Sequence, residues 1–250
     1  MPSALSVVII TLDAERCLEA CLGAVAFADE ILLVDSGSTD ATLAIAARHG
    51  ARVLHQEWLG FGRQKQRAVE AARNEWVLSI DADEVVSPHL RASIEAELAR
   101  PEPRALAFEF ARCNRFLGRW LRHGEGYPDW SLRLFRRDAA RWSDSPVHER
   151  VITTTPVARL AGDLMHDSAE TIASYLAKQS RYSDLQAPAL VRRGRLRNAL
   201  SMIGSPLVRF VRFYVVRLGF LDGLAGLVHI VIGCMTSAAK YRKALVRRGL

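Results

Sequence analysis

The chain has 250 residues, 50% of them apolar and 24% charged, which allows a sizeable core and excludes a disordered or low-complexity protein. Its formal net charge of +7 is unevenly placed: from residue 188 onward there are twelve Lys/Arg and a single acid, Asp222, so that stretch carries +11 and residues 1–187 carry −4. A basic, apolar tail on a mildly acidic body points to an anionic membrane surface rather than to nucleic acid.

Leu5–Thr11 opens with a β-branched run, the mark of a strand buried on both faces. No basic stretch precedes it, so no signal peptide is expected. The four cysteines, Cys17, Cys21, Cys113 and Cys234, show no metal or redox spacing, and a reducing cytoplasm fits them. Apolar residues at Ala14, Cys17, Leu18, Cys21, Leu22 and Val25 follow helical spacing. Glu30–Asp35 is a second buried strand ending on an acid. Ser36-Gly-Ser-Thr-Asp40 then supplies a turn and N-cap for a helix over Ala41–His49. Arg52–His55 reads as a short strand, a loop with Gly60 and Gly62 leads into a helix near Arg63–Arg73, and Trp76–Ile80 is a fourth strand. This alternation predicts an α/β fold, a mostly parallel sheet with helices on both faces.

Beyond residue 100, Leu106–Ala111 and Ser131–Arg136 read as strands joined by a Gly- and aromatic-rich connection. Pro146–Glu149 reads as a loop or strand edge, followed by Val157–Leu160 and then Met165–Ser168; Glu170 to Ala187 reads as an amphipathic helix. The expected organisation is a domain over 1–187, divided at residue 100 into two halves, followed by a helical tail over 188–250. In the tail, Leu224–Ala239 carries no formal charge. Sixteen residues fall short of the roughly twenty that span a bilayer. With basic residues on both sides, the run reads as an in-plane or re-entrant membrane segment, or else as a buried helical hairpin.

The stretch with most chemical content is Trp76–Glu84, where a strand runs into Asp81-Ala82-Asp83. Side chains alternate along an extended chain, so both aspartates can face one way beyond the strand end. Open α/β sheets bind ligands there, and two hard oxygen ligands suit Mg²⁺ or Mn²⁺. Taken alone, the pair also reads as a solvated acidic turn before the helix after Pro88.

Four pieces in order, Ser6–Thr11, Val34-Asp-Ser-Gly-Ser-Thr-Asp40, Gln64-Lys-Gln-Arg-Ala68 and Asp81-Ala-Asp83, resemble the inverting glycosyltransferases of family 2. Arg133-Leu-Phe-Arg136, Val147-His-Glu149, His166-Asp-Ser168, Tyr182–Ala187 and Gly219–Gly223 resemble the branch containing lipopolysaccharide core β-glucosyltransferases. The resemblance implies a GT-A fold followed by a C-terminal helical, membrane-associating tail. It also implies a nucleotide-sugar donor and a divalent cation, Mg²⁺ or Mn²⁺.

Residue by residue, the resemblance places Thr11, Leu12 and Glu15 around the nucleoside and Asp35 at the uracil edge. Such a carboxylate would favour uridine, whose N3 is a donor, over cytidine, whose N3 is not; the alternative is a carboxylate that only caps the next helix. Lys65 and Arg67 are implied to offset diphosphate charge, with solvated surface charge the alternative for Arg67. Asp83 is the implied direct metal ligand, with Asp81 and Ala82 at the ribose or a metal-bound water, and His148 or His166 completing the metal shell. Glu149 is the first choice for the base that takes the acceptor's proton and Asp129 the second, although the common Glu-Asp pair of many relatives is absent.

The expected activity is transfer of a hexose, glucose from UDP-glucose in the leading reading, to a glycolipid such as the lipopolysaccharide inner core. The expected location is the inner face of the cytoplasmic membrane, peripheral or monotopic. Rival readings are an enzyme acting on undecaprenyl phosphate or a peptide, a sugar-1-phosphate nucleotidyltransferase, and a non-catalytic nucleotide-sugar-binding protein. The nucleotidyltransferase would need a Gly-rich first loop, and Thr11–Glu15 holds no glycine.

Overall fold

A computed structural model describes residues 3–145, 149–168, 171–191 and 194–247. The chain packs as two compact units, residues 1–112 with 129–166 and residues 113–128 with 167–250, each described by itself.

The first unit begins β1 (Leu5–Thr11), α1 (Glu15–Ala24), β2 (Glu30–Asp35), α2 (Thr42–Arg48), β3 (Arg52–His55), α3 (Phe61–Ala71) and β4 (Trp76–Asp81). These four strands lie in parallel order β3-β2-β1-β4, as a βαβ alternation requires. In chain order there follow β5 (Glu84–Val86), α4 (Pro88–Leu98), β6 (Ala107–Phe116), β7 (Arg119–Trp120), β8 (Asp129–Arg136), β9 (Ala140–Trp142), β10 (Val151–Thr153) and β11 (Val157–His166); β7 and the last four residues of β6 belong to the second unit, the others to the first. The sheet continues β4-β8-β6-β11-β5, with β8 antiparallel to both β4 and β6 and β5 antiparallel to β11. The sheet is therefore mixed, a parallel half extended by an antiparallel one.

Alternation along the strands divides the core in two. Val7 and Ile9 of β1, Leu33 of β2 and Leu78 of β4 meet Leu18 and Leu22 of α1, Ile45 of α2 and Leu90 and Ile94 of α4. Val8, Leu32, Val34 and Val77 face the other way, against Ala68 and Val69 of α3 and Trp142 of β9. This two-sided burial is why β1, β2 and β4 read as continuous apolar runs. α4 starts where Ser87 accepts the Leu90 N–H at 3.2 Å, with Pro88 in its first turn.

Val157–Leu160 and the first two residues of Met165–Ser168 prove to be parts of one ten-residue strand, β11, which ends at His166. Its pattern is broken by Gly162, which holds φ +100 and lies so near α4 that a Cβ there would stand 2.2 Å from the Leu90 nitrogen. Only glycine fits that approach.

The second unit holds α5 (Ile172–Val191), α6 (Arg195–Phe210) and α7 (Gly223–Arg247), with a π-helical turn over Val211–Val216 and a 3-10 turn over Gly219–Asp222. The expected boundary at 187/188 falls inside α5, which continues through Pro188. Phe116, Leu121, Tyr175, Ala225 and Ile232 form one apolar cluster here and Leu190, Tyr241 and Ala244 another. Asp222 is buried and accepts the Arg122 and His123 N–H groups at 3.0 and 2.8 Å. Two helical stretches, Leu196–Val216 and Gly219–Val246, are long and apolar enough by length and composition to cross a membrane. The uncharged sixteen-residue run thus sits within a longer helix than its charge-free length implies.

Candidate active site

Parallel strands place their carboxyl ends together, and here Thr11, Asp35 and Asp81 end β1, β2 and β4 on one edge of the sheet. The loop after β1 is locked to the loop after β2. Asp13, in a left-handed conformation at φ 48 that aspartate tolerates, accepts the Thr39 N–H at 2.8 Å, and its own N–H donates to Ser38 Oγ at 2.9 Å. Ala14 N–H donates to Thr42 Oγ1 at 2.7 Å.

Glu15 belongs to this lock: its N–H donates to Asp40 at 3.0 Å and its carboxylate accepts the Ala41 N–H at 2.9 Å. Asp40 also accepts from Thr42 N–H at 2.9 Å.

A cavity of about 710 Å³ opens at this edge. Thr11 and Leu12 line it from β1 and its loop, Lys65 from α3, and Asp81, Ala82 and Asp83 from the end of β4. Glu149 and His166 complete the group. Five segments far apart in sequence therefore bring most of the expected site residues to one place.

Other expected residues stand elsewhere. Asp35 is buried beside the cavity and does not line it. Its carboxylate accepts the Gly37 and Ser38 N–H groups at 2.9 Å each, and the Thr11 and Ser38 hydroxyls at 3.0 and 2.5 Å. Burial opposes its ionisation, but these four bonds prevail and hold its pKa below the usual carboxylate value. Arg67 is exposed on α3, off the cavity. Asp129, at the start of β8, also lies off it, its Oδ2 held by Arg112 at 2.7 and 2.9 Å. His148 lies outside the described residues.

At the cavity floor Asp81 is clamped between cations. Lys65 Nζ meets Oδ1 at 2.8 Å, and Arg133 Nη2 meets Oδ2 at 3.1 Å. Burial alone would raise the Asp81 pKa, but Arg133 first and Lys65 second hold it well below the carboxylate range. The same Arg133 nitrogen lies 3.2 Å from the buried Glu84, which also accepts the Asp81 N–H at 2.9 Å. Trp142 backs the clamp, its ring centroid 4.6 Å from Lys65 Nζ and 5.2 Å from the Arg133 guanidinium. Its indole N–H is satisfied by Ser79 Oγ at 3.1 Å.

Arg133, Glu84 and Trp142 are the participants the sequence reading assigned no role. The signals for them were the Arg133-Leu-Phe-Arg136 motif and, for Glu84, its place at the end of Trp76–Glu84.

Above the clamp, His166 Nε2 lies 3.4 Å from Asp83 Oδ2, and Lys65 Nζ lies 3.6 Å from Glu149 Oε1. Among the described residues no three ligating side chains converge on a single point. Asp83 and His166 could hold a divalent cation if its remaining ligands came from water and phosphate oxygens, the usual manner of Mg²⁺. Two neighbouring ligands of one such cation stand about 3 Å apart when each bond is about 2.1 Å. The Asp83–His166 pair fits that span.

The profile of glycosyl transferase family 2 matches residues 6–159. A lipopolysaccharide core biosynthesis glycosyltransferase of Rhizobium meliloti is 29% identical over 96% of this chain and 92% of its own length. An uncharacterised glycosyltransferase of Rickettsia conorii is 31% identical over 82% of this chain and 76% of its own. Among solved structures, glucosyl-3-phosphoglycerate synthase of Mycobacterium tuberculosis, in complex with Mg²⁺ and uridine diphosphate, is 21% identical over 54% of this chain and 57% of that one, with a TM-score of 0.40. With most of the first unit inside the matched span, the chain belongs to glycosyl transferase family 2 and is a glycosyltransferase.

Proposed function

We propose that this enzyme transfers a hexose, with glucose from UDP-glucose as the leading donor, to a membrane-held glycolipid of the lipopolysaccharide core type, with inversion at the anomeric carbon. The observation that carries this reading is the single cavity joining Asp83 and His166 to Lys65 and Glu149. Charge on a departing diphosphate and a proton from an incoming hydroxyl both find partners there. The name of the Rhizobium meliloti relative supports the class of acceptor.

In this reading Asp83 and His166 hold a divalent cation, whose chemistry when bound is to offset the negative charge of the leaving nucleoside diphosphate. Lys65 adds a fixed positive charge from the same wall. Asp81, kept ionised by Arg133 and Lys65, offers its outer face to the ribose hydroxyls. Glu149 accepts the proton of the acceptor hydroxyl as that oxygen attacks the anomeric carbon from the side opposite the diphosphate, which inverts the centre. Asp129 is the weaker choice for this step, since Arg112 already occupies its carboxylate. Uracil recognition by Asp35 requires the Thr11 or Ser38 hydroxyl to give up its place, after which the carboxylate can accept an imide N–H.

A glycolipid keeps its acyl chains in the bilayer, so the enzyme must work at the inner face of the cytoplasmic membrane. Support comes from α6 and the turn after it, where Leu196, Leu200, Ile203, Leu207 and Val211 recur at helical spacing and are all exposed. Arg197, Arg212 and Arg217 lie in the same stretch, a composition suited to an anionic bilayer surface.

The test is incubation of the full-length protein with a panel of UDP- and CDP-linked sugars and truncated lipopolysaccharides, reading diphosphate release, acceptor mass and the anomeric configuration of the product. Gain of one hexose from a UDP-sugar, with inverted configuration, is expected. Retained configuration, or transfer from CDP-sugars alone, overturns the reading.

A further inference from the structure

Two large aromatic side chains stand open at the active-site cavity. Trp58 is 49% exposed and Phe61 56% exposed, both line the cavity, and their rings meet edge to face with centroids 4.8 Å apart. A scattered exposed aromatic needs no explanation; this pair is supported from beneath. Gln64 is fully buried, and its side chain donates to the Gln56 carbonyl at 3.1 Å and to Ser36 Oγ at 3.0 Å. Its oxygen accepts the Leu59 N–H at 3.3 Å. The loop carrying Trp58 is thereby fixed on both sides of the ring, so the aromatic surface is ordered before any ligand arrives.

Its place decides what it would hold. Gly62 follows Phe61 in the first turn of α3, and a Cβ at Gly62 would stand 3.4 Å from Glu149 Cβ. One turn further, Lys65 Nζ lies 3.6 Å from Glu149 Oε1. The helix that carries Phe61 thus also carries Gly62 and Lys65, which stand beside Glu149, the carboxylate assigned to the incoming hydroxyl, and the rings share its cavity; the nucleoside is assigned to the Thr11–Leu12 loop. A hydroxyl brought to Glu149 arrives on a sugar ring, and a pyranose presents a face of C–H groups that packs on aromatic carbon.

We propose that Trp58 and Phe61 form the platform for the acceptor's sugar, the C–H face of one pyranose lying on the Trp58 ring with its reactive hydroxyl turned toward Glu149. The proposal rests on the reading given under Proposed function.

The experiment uses the full chain in detergent micelles with UDP-glucose as donor and deep-rough lipopolysaccharide as acceptor, comparing wild type with Trp58→Ala, Trp58→Phe and Phe61→Ala. Kinetics in both substrates are measured, and UDP affinity is measured by calorimetry. For Trp58→Ala the acceptor KM is expected to rise about tenfold, the loss of one aromatic ring contact. The turnover at saturating acceptor and the Kd for UDP should stay close to wild type, and Trp58→Phe should regain most of the loss. An unchanged acceptor KM overturns the platform while leaving the glycosyltransfer reading intact. So does a weakened UDP Kd at unchanged acceptor KM, which would assign the rings to the nucleobase. A wild-type protein that binds UDP but transfers no sugar to this acceptor overturns both the acceptor reading and the platform.

Discussion

Replacing Arg133 by methionine tests whether the clamp at the cavity floor is what the geometry says. Arg133 is buried, and its Nη2 serves Asp81 Oδ2 at 3.1 Å and Glu84 Oε1 at 3.2 Å, while Nη1 is buried with no hydrogen-bond partner. Removing one member of a buried ion pair costs about 3–5 kcal/mol, because the other charge is left behind. Glu84 would keep the Asp81 N–H at 2.9 Å and Arg112 at 3.5 Å, and Asp81 would keep Lys65 at 2.8 Å. Methionine fills much of the arginine's apolar volume and also removes the unpaired N–H, itself a burden of about 1–3 kcal/mol. The net loss at pH 7 should therefore be about 2 kcal/mol, read by urea denaturation of the full chain. The pH dependence is a sharper check. Asp81 titrates below its unfolded value, so its contribution is present at neutral pH and is lost as pH falls through the lower, folded value. With an unfolded pKa of about 3.9, about 1 kcal/mol of that contribution is gone by pH 3 in the wild type and less in the variant. The gap between the two should narrow from pH 7 to pH 3. Wild-type stability for Arg133→Met at pH 7, or a gap that widens in acid, would refute the clamp.

Other expectations can be checked with the same protein. Asp83→Asn should lower turnover about a hundred- to a thousand-fold with the fold intact, and chelation by EDTA should abolish wild-type activity until Mg²⁺ or Mn²⁺ is restored; full activity in EDTA ends the metal role. Asp35→Ala should weaken UDP binding about ten- to a hundred-fold through loss of one charge-assisted bond, with UDP inhibiting the wild type better than CDP. The same variant should melt lower, and the wild-type advantage should fade as pH drops through the depressed Asp35 pKa. Gly62→Ala places a Cβ 2.1 Å from the Ser143 carbonyl oxygen, so it should displace the segment bearing Glu149 and reduce turnover more than it reduces UDP affinity. The triple change Leu200→Glu, Ile203→Glu, Leu207→Glu should release the full-length protein from anionic liposomes; sedimentation equal to wild type would remove α6 from the membrane surface.

What the sequence disclosed follows from which interactions are local. β1, β2 and β4 are apolar on consecutive positions because both faces of the sheet are covered, and such runs are readable without any partner. Asp81 and Asp83 were readable because they follow such a run directly. Arg133 was not. A charged residue in Ser131-Leu-Arg-Leu-Phe-Arg136 reads as solvent-facing, and only the placement of β8 beside β4, 49 to 52 residues away in sequence from Glu84 and Asp81, makes it a buried counter-ion. Nor could the sequence show that the Asp35 carboxylate is taken up by Gly37 and Ser38 of its own loop and by Thr11 of β1, since a strand-end aspartate looks the same whether it faces a ligand or caps a turn. β11 lost its pattern because much of it is only partly covered and Gly162 interrupts it for the sake of a close approach to α4.

The second unit shows the same separation between composition and packing. Leu224–Ala239 is the longest charge-free run, but α7 packs on both α5 and α6 and buries Ala225, Ile230 and Ile232. α6 interrupts its apolar residues with Arg197 and Arg209, and so ranks lower by composition, but its apolar face is left outside: Leu196 is 75% and Ile203 73% exposed. Burying a leucine or isoleucine fully is worth about 1.5–3 kcal/mol, so four such residues entering the headgroup boundary even halfway would contribute about 3–6 kcal/mol. Arg197, Arg212 and Arg217 would add about 1 kcal/mol each beside an anionic leaflet. The two contributions answer differently to salt, which screens the arginines over a Debye length of about 3 Å at 1 M and leaves the apolar part in place. Raising salt should therefore release only a fraction of the protein from liposomes, and that fraction should become nearly complete only when the leucine face is changed as well.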